Sequence, residues 1–143
     1  LETIATTIAN VTGDTTSYVV VWDNEVFDQN ADFATSTFTA PITGRYRLSL
    51  VISLSGLASG HVDARILLTA SNRVVQHHFH GYNHRNGTSE TCGTSITTLM
   101  DMDASDTVTV TAYVGPSGQS KVVDIEGTGS TNTYSLFSGE LVA

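Results

Sequence analysis

Several residue types that large classes of protein depend on are scarce in this 143-residue sequence. One cysteine excludes a disulfide within the chain, and there are only two prolines and one tryptophan. Charged residues make up 14% of the chain, too few for a long helical bundle or coiled coil. Apolar runs stay well below the roughly 18 residues of a membrane-spanning helix, so we expect no membrane insertion.

Basic residues are especially rare. Six Lys and Arg stand against fourteen Asp and Glu, which gives a net charge of −8 at pH 7. Such a chain cannot build the positive surface that nucleic acid requires, so we expect no nucleic-acid partner. A signal peptide is absent and the chain starts at Leu1 without a methionine, which predicts the C-terminal part of a longer chain.

Threonine and serine are abundant, at 22 and 15 residues. Thr and Val favour strands, and period-two alternation of apolar residues in segments 44–54 and 107–114 predicts half-buried strands. Weaker alternation covers 62–68 and 96–102. The unbroken apolar segment 18–22 predicts a strand that is buried on both faces or lies at an interface.

Turn signals separate these segments, and none of them shows a helical period. We therefore predict one all-β domain over residues 1–143. A jelly-roll β-sandwich of about ten antiparallel strands is the natural topology for so many short strands in one domain.

Motifs in two regions resemble the complement 1q-like domain, which belongs to the tumour necrosis factor-like jelly rolls. Segment 27–46 holds a Phe-Asp pair, a Phe-Thr-Ala-Pro turn and Gly-x-Tyr, and segment 134–141 resembles the closing Tyr-Ser-x-Phe-Ser-Gly-x-Leu strand. The resemblance implies a compact homotrimer, a three-fold heterologous ring with both chain ends near one pole. It also implies a core motif of Phe38, Pro41, Gly44, Tyr46, Phe137 and Gly139.

Two positions depart from the pattern of that family. Ser105 stands where a glycine is usual, which implies a turn that tolerates a side chain. Glu140 stands where an aromatic residue is usual, which moves a charge toward the base of the molecule or out to solvent.

Four of the five histidines fall within segment 77–84. On a strand, His78 and His80 would point one way and His77 and Phe79 the other. The His78-x-His80 pair is a candidate transition-metal site on the trimer axis, and we expect no other cofactor. The alternatives are pH-dependent trimer contacts, or an exposed ligand-facing loop. The candidate receptor contacts in that loop are His77, Phe79, Tyr82 and His84.

Catalytic signatures are weak. Asp101, Asp103 and Asp106 form an acidic run that favours a solvated turn over a calcium loop, since the glycine and distant glutamate of an EF-hand are missing. No nucleophile elbow is present. Paired carboxylates would meet only in space, which keeps a carbohydrate-active enzyme as a remote alternative.

These features favour a non-enzymatic trimeric head on a virion or cell surface. The acidic, lysine-poor composition indicates a bacteriophage or bacterial surface protein. Among these, we favour the receptor-binding knob of a phage tail fibre. The alternative is structural: a capsid decoration (cement) or trimerisation module. The expected partners are two further copies of the chain. In addition, we expect either a host-surface receptor or glycan, or other virion proteins.

Overall fold

The strands follow the apolar alternation of the sequence. The computed structural model describes residues 1–79, 89–116, 118–128 and 133–143, in which thirteen strands and no helix occur. They are β1 (Glu2–Thr3), β2 (Ile8–Thr12), β3 (Ser17–Val19), β4 (Asn24–Glu25), β5 (Phe33–Ala34), β6 (Thr37–Thr39), β7 (Gly44–Leu57), β8 (Asp63–Ala70), β9 (Val74–His78), β10 (Glu90–Met102), β11 (Thr107–Gly115), β12 (Val123–Ile125) and β13 (Leu136–Leu141). This part of the chain therefore has no helix that could span a membrane.

The strands form two sheets in which every pair is antiparallel. The seven-stranded sheet has the order β2-β12-β7-β13-β1-β4, and β10 pairs with the other edge of β7. The six-stranded sheet has the order β5-β6-β11-β8-β9, and β3 also pairs with β11. The predicted all-β class is confirmed. The strand count exceeds the predicted ten because β1, β4 and β5 have only two residues each.

The core lies between the sheets and is built from alternate residues of the long strands. Apolar side chains at the even positions of β7, β8 and β11 are fully buried, and each Val, Leu or Ile among them contributes roughly 1.5–3 kcal/mol. They are Tyr46, Leu48, Leu50, Ile52, Leu54, Ala64, Ile66, Leu68, Val108, Val110, Ala112 and Val114. The odd positions of these strands form two outward faces, one on each sheet.

Aromatic rings fill one end of this core. Phe38 and Tyr46 make an edge contact with ring centroids 5.7 Å apart, and Phe137 packs 5.9 Å from Trp22. Gly139 lies under the Phe38 ring, where an added Cβ would stand 2.8 Å from a ring carbon. The absence of a side chain at this position is therefore what lets Phe38 lie flat against β13.

The remaining two motif residues lie at the corner between β6 and β7. Pro41 is exposed and Gly44 is half-buried at the start of β7. The Tyr46 hydroxyl donates to the Ile42 carbonyl at 2.7 Å, which ties the turn to the strand that follows it. These residues shape the corner and contribute little to the buried volume.

Of the two alternatives predicted for segment 18–22, burial on both faces is wrong, and a position at an interface stays a prediction. Val20 and Trp22 are buried, whereas Val19 is 50% exposed and Val21 is 45% exposed. The reason is that β3 joins the six-stranded sheet through β11, and only one side of that sheet packs on the core, so alternate residues face outward. The strand is half-buried despite its unbroken apolar sequence.

Both departures from the complement 1q-like pattern have a local explanation. Ser105 adopts a left-handed φ of 76°, the conformation that favours glycine, and its amide donates to the Ala40 carbonyl at 2.8 Å. The Glu140 carboxylate points to solvent and accepts a hydrogen bond from Arg47 Nη1 at 2.8 Å. Neither residue disturbs the core.

Candidate functional site

The histidine-rich segment begins on β9, at one margin of the six-stranded sheet. Among the described strands, β9 pairs only with β8, in a register that sets His78 opposite Arg65 and His77 opposite Ile66. Ile66 faces the core, so His77 lies on the core side of β9 and His78 on the outward side. The predicted alternation is present for His77 and His78, and His80 lies outside the described residues.

His77 and Phe79 form a stacked pair on the core side. Their ring centroids are 6.3 Å apart with planes inclined by 24°. Phe79 packs against the core, and its amide donates to the Ala64 carbonyl at 2.9 Å, while His77 stays exposed. Two of the predicted receptor contacts are thus adjacent at the open margin of the sandwich. Tyr82 and His84 lie outside the described residues.

His78 contacts a carboxylate on the neighbouring strand. Its Nδ1 lies 3.7 Å from Asp63 Oδ1, and about half of its side chain is exposed. Within the described ranges, no three His, Cys, Asp or Glu side chains are arranged to hold a metal ion. The predicted partner His80 lies outside those ranges, so the metal site at His78 and His80 stays a prediction.

The acidic run uses its carboxylates for structure. Asp101 Oδ1 accepts from Arg45 Nε at 3.3 Å, and Asp106 Oδ2 accepts from the Asp103 amide at 2.9 Å. Asp103 Oδ1 accepts from the Thr43 hydroxyl at 3.4 Å. The three side chains are engaged separately in and around a turn, an arrangement typical of a solvated turn.

Two carboxyl groups at the pole near the N-terminus have pKa values shifted in opposite directions. Burial raises the pKa of Glu2, which is only 4% exposed, and the negative charges of Glu25 and Asp28 act in the same direction. Burial would also raise the pKa of Asp28, but backbone N–H groups of Phe33, Asp32 and Asn30 outweigh it and lower that pKa. A substrate cannot reach the Glu2 carboxyl, so this pair does not form an accessible acid–base site.

The outward side of the seven-stranded sheet carries an extended surface without charge, here called the uncharged face. It comprises the outward residues of β7, β10 and β13 on three adjacent strands: Ser49, Val51, Ser53, Ser95, Thr97, Leu136 and Ser138. At one end it is bounded by the ion pairs Arg47–Glu140 and Arg45–Asp101. Val51 is 39% exposed in its centre.

Three neighbours of His78, namely Asp63, Arg65 and Gln76, were not predicted from the sequence, and neither was Tyr113, which lies on the other side of Arg65. A usable signal was present, because Asp63-x-Arg65 and Gln76-x-His78 each place two polar side chains on one face of a strand. What the sequence could not supply is the register that brings β8, β9 and β11 side by side.

Comparisons with known proteins identify the fold. No protein-family model matches the chain, and no curated protein sequence matches it. Among solved structures, the globular domain of zebrafish complement 1qA protein is similar, with a TM-score of 0.55 over 98% of each chain and 18% sequence identity. The chain therefore has the complement 1q-like jelly-roll fold.

Proposed function

We propose that this chain is a non-enzymatic, homotrimeric head module on the surface of a virion or cell, where it binds a receptor. The observation that carries the proposal is the uncharged face. In a chain with a net charge of −8, an exposed area of three strands without charge needs an explanation. The centre of a protein interface is depleted of charged residues in the same way.

The composition of the uncharged face suits contact with another protein. Five of its seven residues are Ser or Thr, and the apolar Val51 and Leu136 sit in one row with Ser95. Leu99, which is 51% exposed, extends the apolar part along β10. Short side chains allow a second molecule to approach the sheet closely, and packing that excludes water supplies the binding energy.

The neighbouring margin of the sandwich supplies the complementary surface. β10 is thirteen residues long and, among the strands that the structure describes, pairs only with β7, so its other edge has no strand partner within those residues. Long exposed edges promote unwanted pairing, and proteins usually cover them. Packing the β10 edge of one copy on the uncharged face of the next covers both surfaces and gives a heterologous ring.

The fold supports a ring of three copies, since complement 1q-like domains are usually homotrimers. Leu1 and Leu141 line one groove, which puts both chain ends near one pole, as such a head on a stalk requires. The acidic, lysine-poor composition favours a phage or bacterial setting, and we propose the knob of a tail fibre. We propose as receptor contacts the residues predicted from the sequence, of which His77 and Phe79 are described.

Native mass spectrometry of the full chain at about 10 μM tests the assembly, since obligate interfaces of this kind persist at that concentration. We expect a species with three times the mass of the denatured chain. A monomer at that concentration would refute the trimeric head, and a dimer would refute the ring geometry.

A further inference from the structure

The outward face of the six-stranded sheet carries a connected group of polar and aromatic side chains, here called the Arg65 network. It consists of Asp63, Arg65, Gln76, His78 and Tyr113. Arg65 on β8 lies opposite His78 on β9 and opposite Tyr113 on β11. Directly opposed residues on neighbouring strands have Cβ atoms about 4.5–5.5 Å apart, so the three side chains form one row across the sheet.

Arg65 is held in place from two directions. Its Nε donates to Asp63 Oδ1 at 2.9 Å and its Nη2 donates to Asp63 Oδ2. The guanidinium carbon lies 5.0 Å from the centroid of the Tyr113 ring. A side chain that is already ordered loses little conformational freedom when a ligand binds, which favours affinity. Three of its five N–H groups remain available as donors.

The histidine at the other end of the row contacts both strands. Gln76 Nε2 is hydrogen-bonded to His78 Nε2 on the same strand. His78 Nδ1 lies 3.7 Å from Asp63 Oδ1 on β8, so both ring nitrogens have a polar neighbour in the network. The carbonyl oxygen of the exposed Gln76 side chain accepts no hydrogen bond from the described residues and is available to a ligand.

The charge balance of the network indicates the class of ligand. Asp63 and Arg65 carry opposite charges and are hydrogen-bonded to each other, so Arg65 is not an isolated cation. The whole chain is strongly acidic, which disfavours an anionic ligand. A ligand must therefore bind through donors and acceptors rather than through charge. Hydroxyl groups do this, because each can accept from Arg65 and donate to Gln76.

We infer that the Arg65 network is a binding site for a neutral saccharide unit. Arg65 and Gln76 are diagonal neighbours, with backbones roughly 7–8 Å apart, a span that suits two hydroxyls of one sugar ring. The inference rests on the proposed head function, and the network lies on the opposite sheet from the uncharged face.

Amide NMR titration of the intact, isotope-labelled protein tests this site. The probes are methyl α-mannopyranoside, methyl β-galactopyranoside and methyl β-glucopyranoside, each up to about 50 mM, because single sugars bind in the millimolar range. We expect shift changes confined to residues 63–67, 74–78 and 111–115 for at least one probe. No shift change with any of the three, or changes elsewhere only, would overturn the inference.

Variants identify the groups that act. Gln76→Ala, at an exposed position that folding does not depend on, should weaken binding about 10-fold, as should Arg65→Met. The matched control is Thr69→Ala, an exposed residue on the same face of β8, which should bind like the wild type. Equal affinity in all three variants would contradict the assignment, as would a preference for methyl glucuronide over the neutral probes.

A second binding experiment distinguishes a surface glycan from a free sugar as the natural ligand. Binding to immobilised mannan, galactan or dextran at least about 100-fold tighter than to the glycoside indicates a multivalent surface glycan. The failures are also separable: a trimer that binds no probe overturns only this inference. A monomer that binds a probe overturns the trimeric head and leaves the saccharide site standing.

Discussion

The two outward faces of the sandwich are built from the same strand geometry and carry opposite chemistry. On the seven-stranded sheet the residues of the uncharged face are short or apolar, and charges stand beyond its end, in the ion pairs Arg47–Glu140 and Arg45–Asp101. On the six-stranded sheet an arginine, an aspartate, a glutamine, a histidine and a tyrosine form one hydrogen-bonded and stacked network. Since the core behind both faces is alike, we propose that the difference reflects what each face contacts: a second copy of the chain for the uncharged face and a small polar ligand for the Arg65 network.

The largest expected effect comes from the core that supports both faces. Phe137 is fully buried between Trp22 and Phe33. We expect Phe137→Ala to lower the free energy of unfolding by about 3–5 kcal/mol, because it leaves a cavity. Urea titration at fixed protein concentration measures this loss of unfolding free energy. A loss below about 1 kcal/mol would show that the ring is not a core anchor.

The next largest effect is on trimer association, and it distinguishes the uncharged face from the outward face of the six-stranded sheet. Val51→Arg places a charge in the centre of the uncharged face and should weaken trimer association at least about 100-fold, since a buried unpaired charge costs about 3 kcal/mol or more. Val19→Arg is the matched control: Val19 is a similarly exposed strand valine on the six-stranded sheet. Sedimentation velocity should find a monomer for the first variant and a trimer for the second. Equal behaviour would remove the distinction between the faces.

The smallest effect concerns the buried carboxyl of Glu2. Its pKa in the folded state is raised, so its contribution to stability is complete below its unfolded pKa of about 4.3 and is lost as pH rises through the folded value. Glu2→Gln mimics the protonated form and should raise the melting temperature at pH 7 by about 2–4 °C. The gain should vanish near pH 3. A lower melting temperature at pH 7 would mean that the ionised carboxylate is stabilising.

The fold could be predicted from the sequence to a large extent because burial on a sandwich repeats every second residue. The alternation in β7 and β11 indicated which side chains face the core. For segment 18–22, burial on both faces was wrong because an unbroken apolar run does not reveal that only one side of its strand packs on the core. Its exposed valines became evident only from the pairing of β3.

The candidate sites were harder to predict because they depend on register. His77 and Phe79 were assigned to one side of a strand correctly, since two-residue spacing suffices for that. The Arg65 network was not predicted, because Arg65, His78 and Tyr113 are distant in sequence and meet only across strand pairs. The uncharged face was likewise invisible, since no single segment contains it.

Hydrogen–deuterium exchange on β10 tests the central claim, that the margin of one copy covers the uncharged face of another. About half of the amides of an edge strand point away from its only partner and should exchange rapidly in a monomer. We predict that peptides from residues 90–102 and from 47–53 exchange much more slowly in the wild type than in Val51→Arg. Equal exchange of both peptides in the two proteins would contradict the claim.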